Sequence, residues 1–346
     1  MEQLIRFNND YNRIAQKNVL KALMETADEA YPGYGTDLWC NRAADTIRAL
    51  CNAPDAAVHF LPGATQANFI VIASAISPVE NVICADTGHI FCHEAASVEK
   101  TGHKVTALPA RDGKITAEQV EEAARAYYDS PQDFLTIPKL LYISFPTEYG
   151  TIYTKDELTA IKEVCRKYGM YLFVDGARLG YGLASPKCDL TLEDLASLTD
   201  VFYIGGTKCG AMFGEAVVIT NDTLKKNFRI YMKQNGAVLA KGWLMGLQFE
   251  TLLKDGTYLA IAGRADEYAL RLQDVFKKKS IPLYVESPTN QQFVLLTKDQ
   301  MDALKDRFVF EVEGRADESH TLVRFCTSWS TKESEMDALI EAIEAL

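Results

Sequence analysis

The chain has no C-x-x-C pair among its eight cysteines, no internal repeat, no low-complexity tract and no long linker. Each absence removes a class of protein. Cysteines at 40, 51, 84, 92, 165, 188, 209 and 326 are scattered, several in apolar text such as Ile83-Cys84 and Phe325-Cys326. That usage fits reduced structural thiols rather than a disulfide framework. The densest apolar run, Phe69-Ile70-Val71-Ile72-Ala73, falls far short of the ~18 residues that suggest a membrane span. The opening Met1-Glu2-Gln3-Leu4-Ile5-Arg6 lacks the basic-then-apolar layout of an export signal. The expected compartment is therefore the cytoplasm, with no membrane partner. Basic charge is scarce too: 36 Lys and Arg face 47 Asp and Glu, a net charge of −11. A phosphate-backbone binder shows the opposite balance, so no nucleic-acid partner is expected. Small-molecule chemistry remains.

What is present is ordinary globular composition, with 48% hydrophobic and 24% charged residues over 346 positions. That length predicts about two domains. Helical spacing of Val19, Leu20, Leu23 and Met24 predicts a helix over 17–29, ended by Tyr31-Pro32-Gly33-Tyr34-Gly35. A second helix runs through Leu38, Ala43, Ile47 and Leu50. The rhythm then changes to short apolar runs at 58–61, 82–85, 105–108, 140–145, 171–174, 201–204 and 216–219, with amphipathic helices between most of them. Continuously apolar strands alternating with helices predict a largely parallel seven-stranded sheet, covered on both faces, across roughly 53–220. Beyond it, helices dominate from 221 to about 279. Strands follow at 293–296, 308–312 and 322–326, and a closing helix runs through Met336, Leu339 and Ile343. The reading is an α/β unit over 1–250 and a small α+β unit over 251–346, with the N-terminal arm 1–35 packing on the small unit.

Four places carry chemistry. At Leu61-Pro62-Gly63-Ala64-Thr65-Gln66-Ala67-Asn68 a strand gives way to a glycine turn and a helix start. Free N–H groups there suit a phosphate, or the segment is simply a turn with a capping Thr65. At Phe173-Val174-Asp175-Gly176-Ala177-Arg178 an apolar strand delivers a carboxylate to its end, either as a ligand-facing acid or as a cap or ion pair with Arg178. At Tyr203-Ile204-Gly205-Gly206-Thr207-Lys208-Cys209-Gly210 the next strand end presents one lysine among glycines. An exposed loop lysine is one reading. In a low-dielectric cleft its pKa would fall and the amine could form a Schiff base. Finally, His89 and His93 flank Cys92, but no H-E-x-x-H order and no second ligand pair accompany them, so no metal site is expected.

Taken together, Ala64-Thr65-Gln66-Ala67-Asn68, His89 followed by Glu94, Asp175-Gly176-Ala177-Arg178 and Thr207-Lys208 resemble the low-specificity L-threonine aldolases. These belong to the β-eliminating lyase branch of the pyridoxal-phosphate enzymes with the aspartate-aminotransferase-like fold (fold type I). The resemblance runs from about residue 9 to residue 324. It implies that Lys208 carries pyridoxal 5'-phosphate as a Schiff base, while Asp175 pairs with the ring nitrogen and His89 stacks on the ring. It further implies Ala64 and Thr65 at the phosphate, Thr207 among the cofactor-binding residues, Arg178 at the ring oxygen or the substrate carboxylate, and Arg324 as the fork for the α-carboxylate. Lys241 would reach a neighbouring subunit's phosphate, and Tyr34, in Tyr34-Gly35-Thr36-Asp37, would lie near the subunit interface. Family members are usually dimers of dimers, so a homo-oligomer, dimer or tetramer, is implied, with its sites at the interface.

The departures are specific. The family's Ser-Asp-Thr is replaced by Asn9-Asp10-Tyr11, which puts Asn9 in the carboxylate pocket. The usual Gly-Thr reads Ala64-Thr65. The family's Asn-Thr-His-Asn loop reads Pro146-Thr147-Glu148-Tyr149-Gly150, so Glu148 takes a histidine's place before the substrate hydroxyl. The implied reaction is cleavage of an L-β-hydroxy-α-amino acid to glycine and an aldehyde. The alternatives are β-elimination from an aromatic or thiol-bearing amino acid, an aminotransferase, or an α/β binding protein in which Lys208 is idle.

Overall fold

The computed structural model describes residues 4–346. A seven-stranded sheet has the spatial order Ala57–Leu61, Glu215–Ile219, Val201–Gly205, Tyr171–Asp175, Ile137–Ser144, Glu80–Ala85, Lys104–Leu108. Only Glu215–Ile219 runs against its neighbours; the remaining pairings are parallel. Every strand expected over 53–220 is present, with ends shifted by a few residues. Their side chains alternate between two cores, as the period of two requires. Leu141, Ile143, Leu172, Val174, Phe202 and Ile204 face one core, joined by the helices Leu38–Leu50, Lys155–Lys167 and Trp243–Leu253. Leu140, Tyr142, Phe173, Tyr203 and Val217 face the other, beneath Ala64–Ala75 and Phe228–Gln234. The helix Lys155–Lys167 begins where it does because Thr154 and Glu157 form a capping box.

The C-terminal part holds a four-stranded antiparallel sheet, ordered Glu311–Arg315, His320–Cys326, Gln291–Thr297, Leu283–Val285. Its core joins Val294, Val323 and Phe325 to Leu272 and Phe276, and to Met336, Leu339 and Ile343 of the helix Glu333–Glu344. The long helix Thr257–Lys278 serves two cores. Tyr258, Ile261 and Ala262 pack beneath the large sheet, and Leu272, Val275 and Phe276 pack in the small one.

Two local expectations change, and one strand is unexpected. The strand expected over 308–312 splits at Phe310, whose ring turns onto Phe325 at 5.3 Å. Phe308–Val309 then pairs with Ile5–Arg6, and Glu311–Arg315 joins the four-stranded sheet. The first helix ends at Glu25 rather than 29, because Thr26 donates its hydroxyl back to the carbonyls of Ala22 and Leu23. The three-residue strand Leu283–Val285 is too short to show a period. The N-terminal arm serves both parts. Phe7 donates to the Val309 carbonyl at 2.7 Å and accepts from the Cys326 N–H at 2.6 Å. Farther on, Lys17–Glu25 buries Val19 in a large-sheet core. Residues 8–10 are strung between.

This topology positions the site. The carboxyl ends of the parallel strands lie along one edge of the sheet, with Ser144 level with Asp175. The reversed strand brings its amino end to the same edge, so Glu215 stands level with both Gly205 and Leu61. Ligands bind at such edges in open α/β sheets. Among the described residues no helix is long and apolar enough to cross a membrane, and all eight cysteines are free.

Candidate active site

The loop after Val201–Gly205 carries Lys208, and Glu215 pins it. Glu215 accepts from the Thr207 hydroxyl at 2.7 Å and from the Gly206 N–H at 3.1 Å. Tyr181 donates its hydroxyl to the Lys208 carbonyl at 2.7 Å. Burial lowers the pKa of the Lys208 amine, and the Arg178 cation lowers it further. The same burial raises the pKa of Glu215, against the bond from Thr207 and the attraction of Lys208. A lysine so placed is an amine that can act as a nucleophile.

Asp175 is buried at the next strand end. Its Oδ2 accepts from the Tyr142 hydroxyl and from Asn68 Nδ2 at 3.0 Å, and its Oδ1 from the Ala177 N–H at 2.9 Å. Burial alone would raise its pKa. The nearby His89 and these donors outweigh burial and hold Asp175 below the ordinary carboxylate value. His89 is oriented by Glu94, whose Oε1 lies 2.8 Å from Nδ1 and also accepts from Asn68 at 2.7 Å. Asn68 thus ties the His89–Glu94 pair to Asp175. Across the cavity, Glu148 Oε1 accepts from the Ser144 hydroxyl at 2.6 Å and from the His89 N–H at 2.8 Å. Burial pushes the Glu148 pKa up despite these bonds.

One cavity of about 560 Å³ is lined by Ala64, Thr65, His89, Glu148, Arg178, Thr207, Lys208 and Arg324, with Asp175 on the adjoining inner wall. Most of the sequence-predicted site is therefore brought together. Three residues are not. Asn9 folds onto its own turn, accepting from the Tyr11 N–H at 3.1 Å, and its neighbour Asp10 enters the site instead. Asp10 is fully desolvated and grips Arg178 in a two-point pair, Nε to Oδ2 at 2.7 Å and Nη2 to Oδ1 at 3.1 Å. Burial opposes its charge, but Arg178 and Lys208 overcome that and keep its pKa low. Tyr34 lies in a turn with its N–H on the Ala240 carbonyl and its ring beneath Lys233, beside a different cavity. Lys241 adjoins that turn and is exposed. Sequence reasoning passed over Asp10, Tyr142 and Glu215. Two of them had a signal: Asp10 is the lone acid between residues 3 and 24, and Glu215 heads an otherwise apolar strand.

The donor set suits pyridoxal phosphate on structural grounds. It offers a buried amine of lowered pKa, a carboxylate held ionised nearby and an imidazole fixed by a carboxylate. It also offers a twelve-residue helix, Ala64–Ala75, whose N-cap Gly63 makes no side-chain cap bond. Together with the mostly parallel sheet and its small C-terminal partner, this defines a fold type I pyridoxal-phosphate enzyme. The family described as Beta-eliminating lyase matches residues 17–299, and the chain belongs to it. A low specificity L-threonine aldolase from Pseudomonas sp. (strain NCIMB 10558) is 30% identical over 333 residues, covering 94% of this chain and 93% of that protein. A solved structure of Leishmania major threonine aldolase is 41% identical and covers 99% of each chain, with a TM-score of 0.96. An aspartate aminotransferase from Thermus thermophilus, at 14% identity, covers 99% of this chain and 91% of its own with a TM-score of 0.73, a likeness of fold alone.

Proposed function

We propose that this chain cleaves an L-β-hydroxy-α-amino acid of the threonine or allo-threonine kind to glycine and the matching aldehyde. The observation that carries the reading is the meeting of Lys208, Asp175 and Glu148 around one cavity. When bound, pyridoxal phosphate supplies a sink for the electron pair released from the broken Cα–Cβ bond. Lys208 anchors it through the side-chain amine. Asp175 would keep a proton on the ring nitrogen, and His89 would face the ring. Thr65 and the first turn of Ala64–Ala75 would hold the phosphate, while Thr207, its hydroxyl proton given to Glu215, holds the lysine loop in place. Arg324 takes the α-carboxylate, and Arg178, its fork held by Asp10, lends positive charge. Glu148 uses Oε1 for Ser144 and His89, which leaves Oε2 to take the β-hydroxyl proton. A base whose pKa is raised towards the working pH is well matched to that step.

The active unit is read as a homo-oligomer with sites at subunit interfaces. Tyr11, on the cavity rim, is 56% exposed, and Tyr34 is 51% exposed next to Lys241, so a second copy has surface to cover and a cation to offer. Eight free cysteines support a reducing compartment, the cytoplasm. The division at 250/251 falls inside the last turn of Trp243–Leu253, a few residues before the helix shared by the two cores. Borohydride reduction of the holoenzyme followed by peptide mapping is expected to place the pyridoxyl group on Lys208. Threonine is expected to yield glycine and acetaldehyde. A 2-oxo acid with ammonia would establish β-elimination instead, and a label on another lysine would remove Lys208 from the mechanism.

A further inference from the structure

Arg324 does not wait empty for a ligand. It lies on His320–Cys326, directly across from Glu311 of the edge strand Glu311–Arg315. Two residues on, Glu313 lines the same cavity as Glu311, and its Oε1 stands 3.3 Å from Arg324 Nη1. The register slips between Val312 and Gly314, and Gly314 has φ +149°. An irregularity of this kind commonly re-aims a side chain beside an active site. The other partners of the guanidinium are neutral acceptors, Asn8 O at 3.2 Å from Nη2 and Gln291 Oε1 at 3.4 Å from Nη1, and Nε is buried with no acceptor. Glu313 is thus the one ion-pair partner of this cation among the described residues. It presents the same chemical group as an amino acid's α-carboxylate.

Glu311, Glu313, Arg324 and Lys208 line the same cavity. Glu313 also borders an adjoining cavity of about 680 Å³, which it shares with Asp86, Asp112 and Glu148. An amino acid whose carboxylate takes Arg324 Nη1 must therefore displace Glu313. The displaced carboxylate stays beside the space into which the ligand's side chain extends, in a wall that is already acidic. Displacement is feasible, because the Glu313 side chain is 27% exposed on an edge strand and pairs of this kind are only modestly stabilising.

We infer that Glu313 is a specificity-determining residue: its carboxylate occupies Arg324 in the free enzyme as a stand-in for the α-carboxylate, and once displaced it turns away β-hydroxy amino acids with anionic side chains. The inference rests on Arg324 being the α-carboxylate residue, and the test separates the two. In the holoenzyme, Glu313→Gln is expected to lower KM for threonine and the dissociation constant of glycine, read by cofactor absorbance, by about two- to fivefold. It is expected to raise kcat/KM for 3-hydroxyaspartate relative to threonine by about tenfold. The wild-type preference for threonine should also weaken with added salt, and the variant's should weaken less. If Arg324→Gln raises KM while Glu313→Gln changes neither constant nor preference, the Glu313 inference is overturned and the arginine assignment stands. If Arg324→Gln leaves KM unchanged, both fall. Should Glu313→Gln fail to bind cofactor, Glu313→Ser carries the same expectations.

Discussion

Asp175 is buried and Glu148 half-buried on the cavity that holds the Lys208 amine, and their surroundings drive the two carboxyls apart. Asp175 has His89 and three donors and stays ionised below its ordinary pKa. For Glu148 burial prevails, and its pKa lies above the ordinary carboxylate value. Environments that separate two acids in this way assign them different tasks. A base works only when ionised, so activity should rise with pH as Glu148 loses its proton, and that limb should sit above the ordinary carboxylate range. Glu148→Gln is expected to cost about 10²–10⁴-fold in kcat with little change in glycine binding, and to abolish the acid limb of the kcat profile. A variant that keeps both rate and limb would move the base elsewhere. If only the range of accepted substrates changes, Glu148 selects rather than reacts.

At the scale of elements, the site depends on how closely two strand ends approach. Gly205 donates its N–H to the Gly176 carbonyl at 2.9 Å, and a Cβ on Gly176 would stand 1.8 Å from the Tyr203 carbonyl oxygen. Backbone cannot yield there without separating the Asp175 strand from the Lys208 loop. Gly176→Ala should therefore lose activity and cost about 1–3 kcal/mol or more in denaturant unfolding. Gly263, inside Thr257–Lys278, is the contrast: its added Cβ would meet only Ala184 Cβ, at an ordinary 3.6 Å. Gly263→Ala should be neutral or stabilise by up to about 1 kcal/mol, because alanine suits a helix interior. Equal outcomes at the two positions would contradict this account.

The whole molecule carries a charge problem where its cores meet. Asp266 lies on the shared helix at 1% exposure, and neither of its oxygens has a hydrogen-bond partner. Burial raises its pKa well above 3.8. The unfolded chain releases this proton near the ordinary value while the folded one keeps it, so stability falls as pH rises from there towards the raised folded pKa. The slope from this one group is about 1.4 kcal/mol per pH unit. Asp266→Asn removes it. Urea unfolding is expected to show the variant gaining on the wild type between pH 5 and pH 8, and an equal difference at both would show that Asp266 does not titrate this way.

Local sequence was sufficient wherever a residue's neighbours along the chain decide its state. Seven apolar runs became the seven sheet strands because burial on both faces demands continuous apolar text. Asp175 and Lys208 were legible as strand-end residues for the same reason. The family resemblance placed most of the remaining cavity residues. What tertiary structure decided are the pairings between distant parts of the chain. Asp10 reaches Arg178 only because Phe7 is stitched to Val309 and Cys326, and that also explains why Asn9, one position away, stays out of the cavity. Glu215 pins the lysine loop through an antiparallel strand, and Glu313 faces Arg324 across a slipped register. Periodicity encodes which face of an element is buried. Which charges then meet depends on register and on crossing of the chain, and neither leaves a mark in the local pattern.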